Sequence, residues 1–273
     1  MANFFRKIAT TAVPITVPEV FRARAGSGKN SIANFERDIA HWMKVDSALL
    51  VNKGTTALYL ILQALKKMHP GRDEVIYPAY TVPTLKLAFD RAGLKTRVCD
   101  ISRQTFNMSV ESLAGQLSDR TLAVIPVHMF GFPMDIEAVK AVVGNDIAVI
   151  EDCAQAPGAK VYGKKVGAGA QSAIFSLCKG KNISTYYGGF ATFNDDELYR
   201  LAMEERERLP GNDTDTRLFF WLVMFALAMR PGVYGPLYPF ISRFKSEEVH
   251  AEFHPRKYTD LQAELGRIML RKL

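Results

Sequence analysis

The chain has little of what builds a disulfide scaffold. Its three cysteines, Cys99, Cys153 and Cys178, are widely spaced and no Cys-x-x-Cys occurs. That excludes a disulfide framework and a cysteine zinc site, predicts no metal, and favours a reducing compartment, the cytoplasm. Long apolar runs are also missing. The longest, residues 218–229, is bounded by Arg217 and by Arg230-Pro231. It falls well short of the roughly 20 residues that a membrane-crossing helix needs. The first 17 residues carry Arg6 and Lys7 but no sustained apolar core, so no signal peptide is expected. Neither an internal repeat nor a low-complexity segment is present. Excess charge of one sign is modest: 35 Lys and Arg against 28 Asp and Glu leave +7. This suits anionic ligands or surfaces but does not mark nucleic-acid binding. What remains is an ordinary globular composition, 48% apolar and 23% charged in 273 residues. That is enough for one large domain, or one and part of a second.

Apolar spacing predicts a regular succession of elements. A helix is expected over 31–43, a strand over 48–51, and a helix over 57–67. A strand over 74–77 and a helix over 84–92 follow, then a strand over 96–99 and a helix over 110–117. Residues 122–127 read as a strand without polar alternation, hence buried on both faces. A helix over 136–143 and strands over 147–150 and 173–176 complete the series. This alternation predicts an α/β domain with a mostly parallel sheet, in which ligand lies beyond the carboxyl ends of the strands.

Polar groups gather at those ends. Gly54-Thr55-Thr56 follows the first strand and opens a helix, an arrangement that suits a phosphate. His128 follows the fourth strand, and a hydrogen-bonded core histidine is its more common role. Glu151-Asp152-Cys153-Ala154-Gln155 follows the fifth, and Ser176 precedes Lys179-Gly180-Lys181. Two other stretches fail. Ala25-Gly26-Ser27-Gly28-Lys29-Asn30 lacks the first glycine and the final hydroxyl of a P-loop, and Gly167-Ala168-Gly169-Ala170 is not a dinucleotide fingerprint.

One cofactor accounts for the set. Pyridoxal phosphate needs a lysine, a carboxylate for its ring nitrogen, backbone N–H groups and hydroxyls for its phosphate, and a residue packed on the ring. The ordered motifs Lys53-Gly54-Thr55-Thr56-Ala57-Leu58, Asp73-Glu74-Val75-Ile76-Tyr77-Pro78, Pro126-Val127-His128 and Gly131-Phe132-Pro133-Met134-Asp135 are joined by four more. These are Glu151-Asp152-Cys153-Ala154-Gln155-Ala156, Phe175-Ser176-Leu177-Cys178-Lys179-Gly180-Lys181-Asn182, Gly188-Gly189 and Thr259-Asp260-Leu261-Gln262-Ala263-Glu264-Leu265-Gly266. As a set they resemble the DegT/DnrJ/EryC1/StrS family of pyridoxal-phosphate-dependent aminotransferases. The resemblance covers about residues 31–205 and 256–270.

The resemblance implies a type I aminotransferase fold and a role for each residue. Lys181 matches the lysine that bonds the cofactor and serves as base, and Asp152 matches the carboxylate on the ring nitrogen. Gln155 matches the residue near the ring, while Gly54, Thr55, Thr56 and Ser176 match phosphate ligands. It further implies a homodimer, an amino donor such as glutamate, and a small-molecule keto substrate such as a nucleotide-linked or lipid-linked sugar. A dehydratase or lyase of the same family, and a non-catalytic homologue, are the alternatives. Val82 stands where the family often has a stacking aromatic, with Tyr80 nearby.

The expected organisation is an N-terminal arm over 1–30, a cofactor-binding large domain over 31–207, an apolar insertion over 208–250, and the start of a truncated C-terminal domain over 251–273. Within the insertion, residues 217–245 are expected to touch a membrane surface or a hydrophobic partner, or to bury in the core or a dimer contact. Arg217, Arg230, Arg243 and Lys245 flank the two apolar stretches.

Overall fold

A computed structural model describes residues 15–212, 215–243 and 253–273. Lys245 and residues 1–14 of the expected arm lie outside the described residues. The strands are β1 (Ser47–Val51), β2 (Glu74–Pro78), β3 (Lys95–Cys99), β4 (Thr121–Val124), β5 (Ala148–Asp152), β6 (Lys160–Val161), β7 (Lys164–Lys165), β8 (Ser172–Ser176) and β9 (Gly189–Phe193). The helices are α1 (Val17–Gly26), α2 (Ser31–Met43), α3 (Gly54–Met68), α4 (Thr84–Arg91), α5 (Val110–Ala114), α6 (Ile136–Val143), α7 (Asp196–Glu207), α8 (Asp215–Ala228), α9 (Pro231–Arg243) and α10 (Asp260–Leu270).

Seven strands form one sheet in the order β1-β9-β8-β5-β4-β2-β3, and β6 with β7 makes a separate hairpin. The pairs β3–β2, β2–β4, β4–β5 and β5–β8 are parallel, while β9 runs antiparallel to both β8 and β1. Every residue of β4 is buried, as its lack of alternation predicts. It stops at Val124, earlier than the apolar run, because Pro126 has no N–H for the ladder. The expected helix over 110–117 ends at Ala114, where Gly115 caps it.

Side-chain alternation splits the core in two around β1. Leu49 and Val51 face α3, α4 and α7, with Leu58, Ile61, Phe89 and Leu198. Ala48 and Leu50 face the other layer, where Phe35, Ile39 and Met43 of α2 meet Leu261, Leu265 and Met269 of α10. Val20 and Ala23 of α1 and Leu218 and Leu222 of α8 close this layer. Under the far strands, Val139 and Val143 of α6 cover Val124 and Val149.

Both ends of the described chain pack into the layer of α2. Residues 17–26 of the arm form a packed helix. Helix α10, expected to open a second domain, belongs to the core of the first: a Cβ on Gly266 would lie 2.2 Å from the Phe35 ring. Among the described residues no single helix is long and apolar enough to cross a membrane.

Candidate active site

The carboxyl ends of β1, β5 and β8 meet at one edge of the sheet. There α3 begins, with a start shaped by close packing. A Cβ on Gly189 would lie 2.2 Å from Gly54 N, and one on Gly54 would lie 2.9 Å from the Phe175 carbonyl oxygen and 3.7 Å from Ser176 Cα. Only glycine lets β9 and α3 approach so closely, and the approach sets Gly54 beside Ser176. Lys53 O accepts from Thr56 N at 3.0 Å and Ala57 N at 3.1 Å. Among the described residues no protein acceptor meets the N–H groups of Gly54 and Thr55. Those two donors at a helix start attract an anion. Thr55 and the Ser176 hydroxyl are half-buried beside them. Thr56, expected as a phosphate ligand, points its hydroxyl elsewhere. It is wholly buried, and its hydroxyl donates to Asn52 Oδ1 at 2.8 Å. Asn52 in turn donates to His254 O at 2.8 Å and accepts from Arg256 N at 3.1 Å, tying the start of α3 to the chain before α10.

Asp152 closes β5 and is buried. Its Oδ1 accepts from Ala154 N at 2.9 Å. No protein donor meets Oδ2 among the described residues. Burial pushes this carboxyl above the usual aspartate range, while the Ala154 N–H and the charge of Lys181 pull it back. Lys181 is thus a cation near enough for its charge to act on Asp152. It is half-buried in the loop after β8, where its N–H donates to Cys178 O at 3.2 Å. Lys179, two residues earlier, is exposed and holds its Nζ 4.4 Å above the Tyr186 ring.

The loop bearing Lys181 is braced from behind by α10. The hydroxyls of Thr185 and Tyr258 lie 2.6 Å apart. Gln262 Nε2 donates to the carbonyls of Thr185 and Tyr187. Thr259 caps α10 by accepting from Gln262 N at 3.2 Å. This gives the 259–266 motif a concrete task, which the sequence pattern does not reveal.

His128 is wholly buried, in its more common role. Its Nδ1 accepts from Met134 N at 2.9 Å, so Nε2 carries the proton and donates to Glu151 Oε2 at 2.9 Å. Glu151 also accepts from Gly167 N at 2.8 Å and from Gly169 N and Ala170 N at 2.9 Å each. Cys153 lies alongside, the three ligand atoms being within 4.8 Å of one another. This cluster is a clamp and not a metal centre: the donors already occupy both carboxylate oxygens, and burial pushes the Cys153 thiol far up.

An aromatic wall, absent from the sequence reading, stands beside this edge. Tyr80 after β2, Phe106 after β3 and Phe130 after β4 place their ring centroids 5.8–6.1 Å apart. All three are exposed, Phe130 by 65%. Phe106 and Phe130 hold left-handed backbones, with φ of 60° and 55°. Such strain in a bulky residue persists where the surroundings enforce it, commonly at ligand sites. Gln155 joins the wall to Asp152, since Phe130 N donates to Gln155 Oε1 at 3.0 Å. Large apolar residues inside otherwise polar strand-end loops were the available sequence signal.

Residues 16–225 match the DegT/DnrJ/EryC1/StrS aminotransferase family. The chain belongs to that family. It is 36% identical over 199 residues to GDP-perosamine synthase of Caulobacter vibrioides, covering 72% of this chain and 53% of that one. It superposes on the aminotransferase from Psychrobacter cryohalolentis with a TM-score of 0.71 and 26% identity, covering 93% and 60% of the two chains. An Escherichia coli GDP-4-keto-6-deoxy-D-mannose-3-dehydratase with bound hydrated pyridoxal phosphate gives 0.72 at 21% identity, covering 97% and 68%. These structures share the type I aminotransferase fold, so the expected fold of this DegT/DnrJ/EryC1/StrS member holds. The chain spans about half the length of the curated relatives it matches.

Proposed function

We propose that the chain binds pyridoxal phosphate and forms the cofactor-binding part of an aminotransferase. The amino group passes from a donor such as glutamate to a keto group on a nucleotide-linked or lipid-linked sugar. One observation carries this reading: the start of α3 with Ser176, the Asp152 carboxyl and Lys181 converge on a single sheet edge. The donor set fits the cofactor's chemistry. N–H groups of Gly54 and Thr55 and the hydroxyls of Thr55 and Ser176 suit a phosphate. A buried carboxylate with one oxygen lacking a protein donor suits a protonated ring nitrogen.

When bound, the cofactor supplies an aldehyde for the amino group and a ring that withdraws electrons. The protein does the rest. Lys181 gives the amine for covalent attachment and moves a proton at Nζ. Asp152, held by Ala154, keeps its negative charge against the ring nitrogen through a charge-assisted contact. The backbone N–H groups of Gly54 and Thr55 would hold the phosphate. Tyr80, Phe106 and Phe130, with Gln155 bonded to Phe130, offer exposed apolar faces against which a flat group or sugar would pack. The reading includes a homodimer, acting in the cytoplasm.

Borohydride reduction of the cofactor-loaded protein tests the assignment. A stable adduct at Lys181, found by peptide mass spectrometry, is expected. Labelling at Lys179 or Lys53 overturns it. A dehydratase would show the same label, and product analysis with keto-sugar nucleotides and glutamate separates the two activities. Sedimentation at high concentration tests the dimer; a fully active monomer overturns that part.

A further inference from the structure

Helix α8 is apolar all round beyond its first turn, yet among the described residues only one face has a partner. Leu218, Leu222 and Ala226 are buried in the layer with α1, α2 and α10. Phe219 and Phe225 are half-covered, Phe219 with its ring 5.1 Å from Phe21 of α1 and Phe225 with its ring 5.0 Å from Tyr186. The opposite face carries Phe220, Trp221, Met224 and Leu227, with exposures of 64%, 55%, 60% and 37%. Positions 220, 224 and 227 form one helical stripe. After Arg230 the chain turns by 97° into α9, where Val233 and Leu237 are also exposed. By contrast, the exposed residues of α7 are charged ones such as Glu197, Arg200 and Glu204.

Charge decides what this face fits. Between Thr216 and Arg243 there is no aspartate or glutamate, and the charged residues are Arg217, Arg230 and Arg243. Arg217 and Arg230 are exposed at the two ends of the stripe. Neighbouring α1 adds exposed Phe21, Arg22 and Arg24. An apolar stripe containing tryptophan, with exposed arginines at both ends and the one acid of α8, Asp215, half-buried at its start, matches the layered chemistry of an anionic lipid surface: phosphates outside, acyl chains beneath. A second copy of the same face would set arginines against arginines.

We propose that α8, α9 and the exposed side of α1 form a peripheral lipid-docking surface that seats this protein on an anionic bilayer. Phe220, Trp221, Met224 and Leu227 enter the interfacial region, and Arg217 and Arg230, with Arg22 and Arg24, pair with lipid phosphates. The helices lie on the bilayer: neither alone is long enough to cross it, and the 97° bend between them breaks the pair as a straight span. The attraction weakens with salt, because the cations are exposed. Such seating would bring the sheet edge near lipid-linked sugars.

Vesicle flotation of the full chain tests this. At low salt, vesicles containing phosphatidylglycerol should carry about tenfold more protein than vesicles of phosphatidylcholine alone. The variant Phe220→Ser, Trp221→Ser, Met224→Ser should lose flotation while keeping its circular dichroism, because these side chains are mostly outside the core. Arg217→Glu with Arg230→Glu should lose the preference for anionic lipid. In a Trp42→Phe background, the Trp221 emission should shift to the blue on vesicles. Three results overturn the proposal: wild type that stays at the bottom at low salt, a serine variant that floats like wild type, or an exposed face that proves to mediate self-association without flotation.

Discussion

Tyr258 donates its hydroxyl hydrogen to Thr185, 73 residues earlier in the chain, at 2.6 Å. The direction follows from Thr185, whose own hydroxyl proton goes to Tyr187 O at 3.0 Å. A Cβ on Gly188 would lie 2.8 Å from the Tyr258 ring, so the ring and the loop are in direct contact. The segment that enters α10 thereby braces the loop that carries Lys181.

This bracing predicts a graded pair of variants. Tyr258→Phe removes one hydrogen bond and should lower unfolding free energy by about 1 kcal/mol. Gln262→Leu removes the amide that serves the Thr185 and Tyr187 carbonyls and should cost about 1–3 kcal/mol. Both should also weaken retention of pyridoxal phosphate, measured by dialysis and absorbance. Full retention in both variants would separate the loop from the cofactor.

Asp152 predicts a pH effect in cofactor-free protein. Its folded carboxyl titrates above the ordinary aspartate value because of burial. The folded state then binds more protons than the unfolded state between those two values, so this group makes stability fall as pH rises through that window. Below the window the group has no such effect, and above it the loss is constant. Asp152→Asn should abolish the fall, visible in urea titrations across the acid range. In loaded protein the same variant should slow the amino-transfer half-reaction at least about tenfold, or roughly 1.4 kcal/mol. A smaller loss would assign the ring nitrogen to another group.

Glu151 accepts four hydrogen bonds and tolerates no donor in place of either oxygen. Glu151→Gln should lower unfolding free energy by about 3 kcal/mol. Added zinc should leave the wild-type melting temperature unchanged, because no lone pair of the clamp faces an ion. A zinc-dependent rise would restore the metal reading of His128, Glu151 and Cys153.

The aromatic wall predicts a binding effect without a stability effect. Phe130 is 65% exposed, so Phe130→Ala should alter unfolding free energy by less than about 0.5 kcal/mol. If a base or other flat group stacks there, KM for a keto-sugar nucleotide should rise about tenfold, with kcat little changed. An unchanged KM removes the wall from the substrate site.

Much of the fold was legible because burial leaves a local record. The unbroken apolar runs at β4 and β5 required cover on both faces, and the spacing of Leu58, Ile61, Leu62 and Leu65 required one buried helix side. Glycine at 54, the acid at 152 and the serine at 176 stood where strands end, so the candidate site was visible as a cluster. Antiparallel β9 was not read, because Gly189-Phe190-Ala191-Thr192-Phe193 has no pattern that fixes direction. Thr56 looked like a phosphate ligand in the sequence. Its position three residues into α3 turns it inward to Asn52.

The sequence by itself determined the α/β alternation and the order of the strand-end residues, Asp152 and Lys181 among them. Local periodicity records that a side chain must leave water, and residue type records what chemistry it can do. Neither records which surface will cover it. The tertiary structure alone decided that α10 braces the Lys181 loop, that Glu151 spends its oxygens on backbone N–H groups, and that Phe220, Trp221 and Met224 face outward while Leu218 and Leu222 face in. Those outcomes depend on contacts between segments far apart in the chain, and the all-apolar α8 offers no local asymmetry from which to choose.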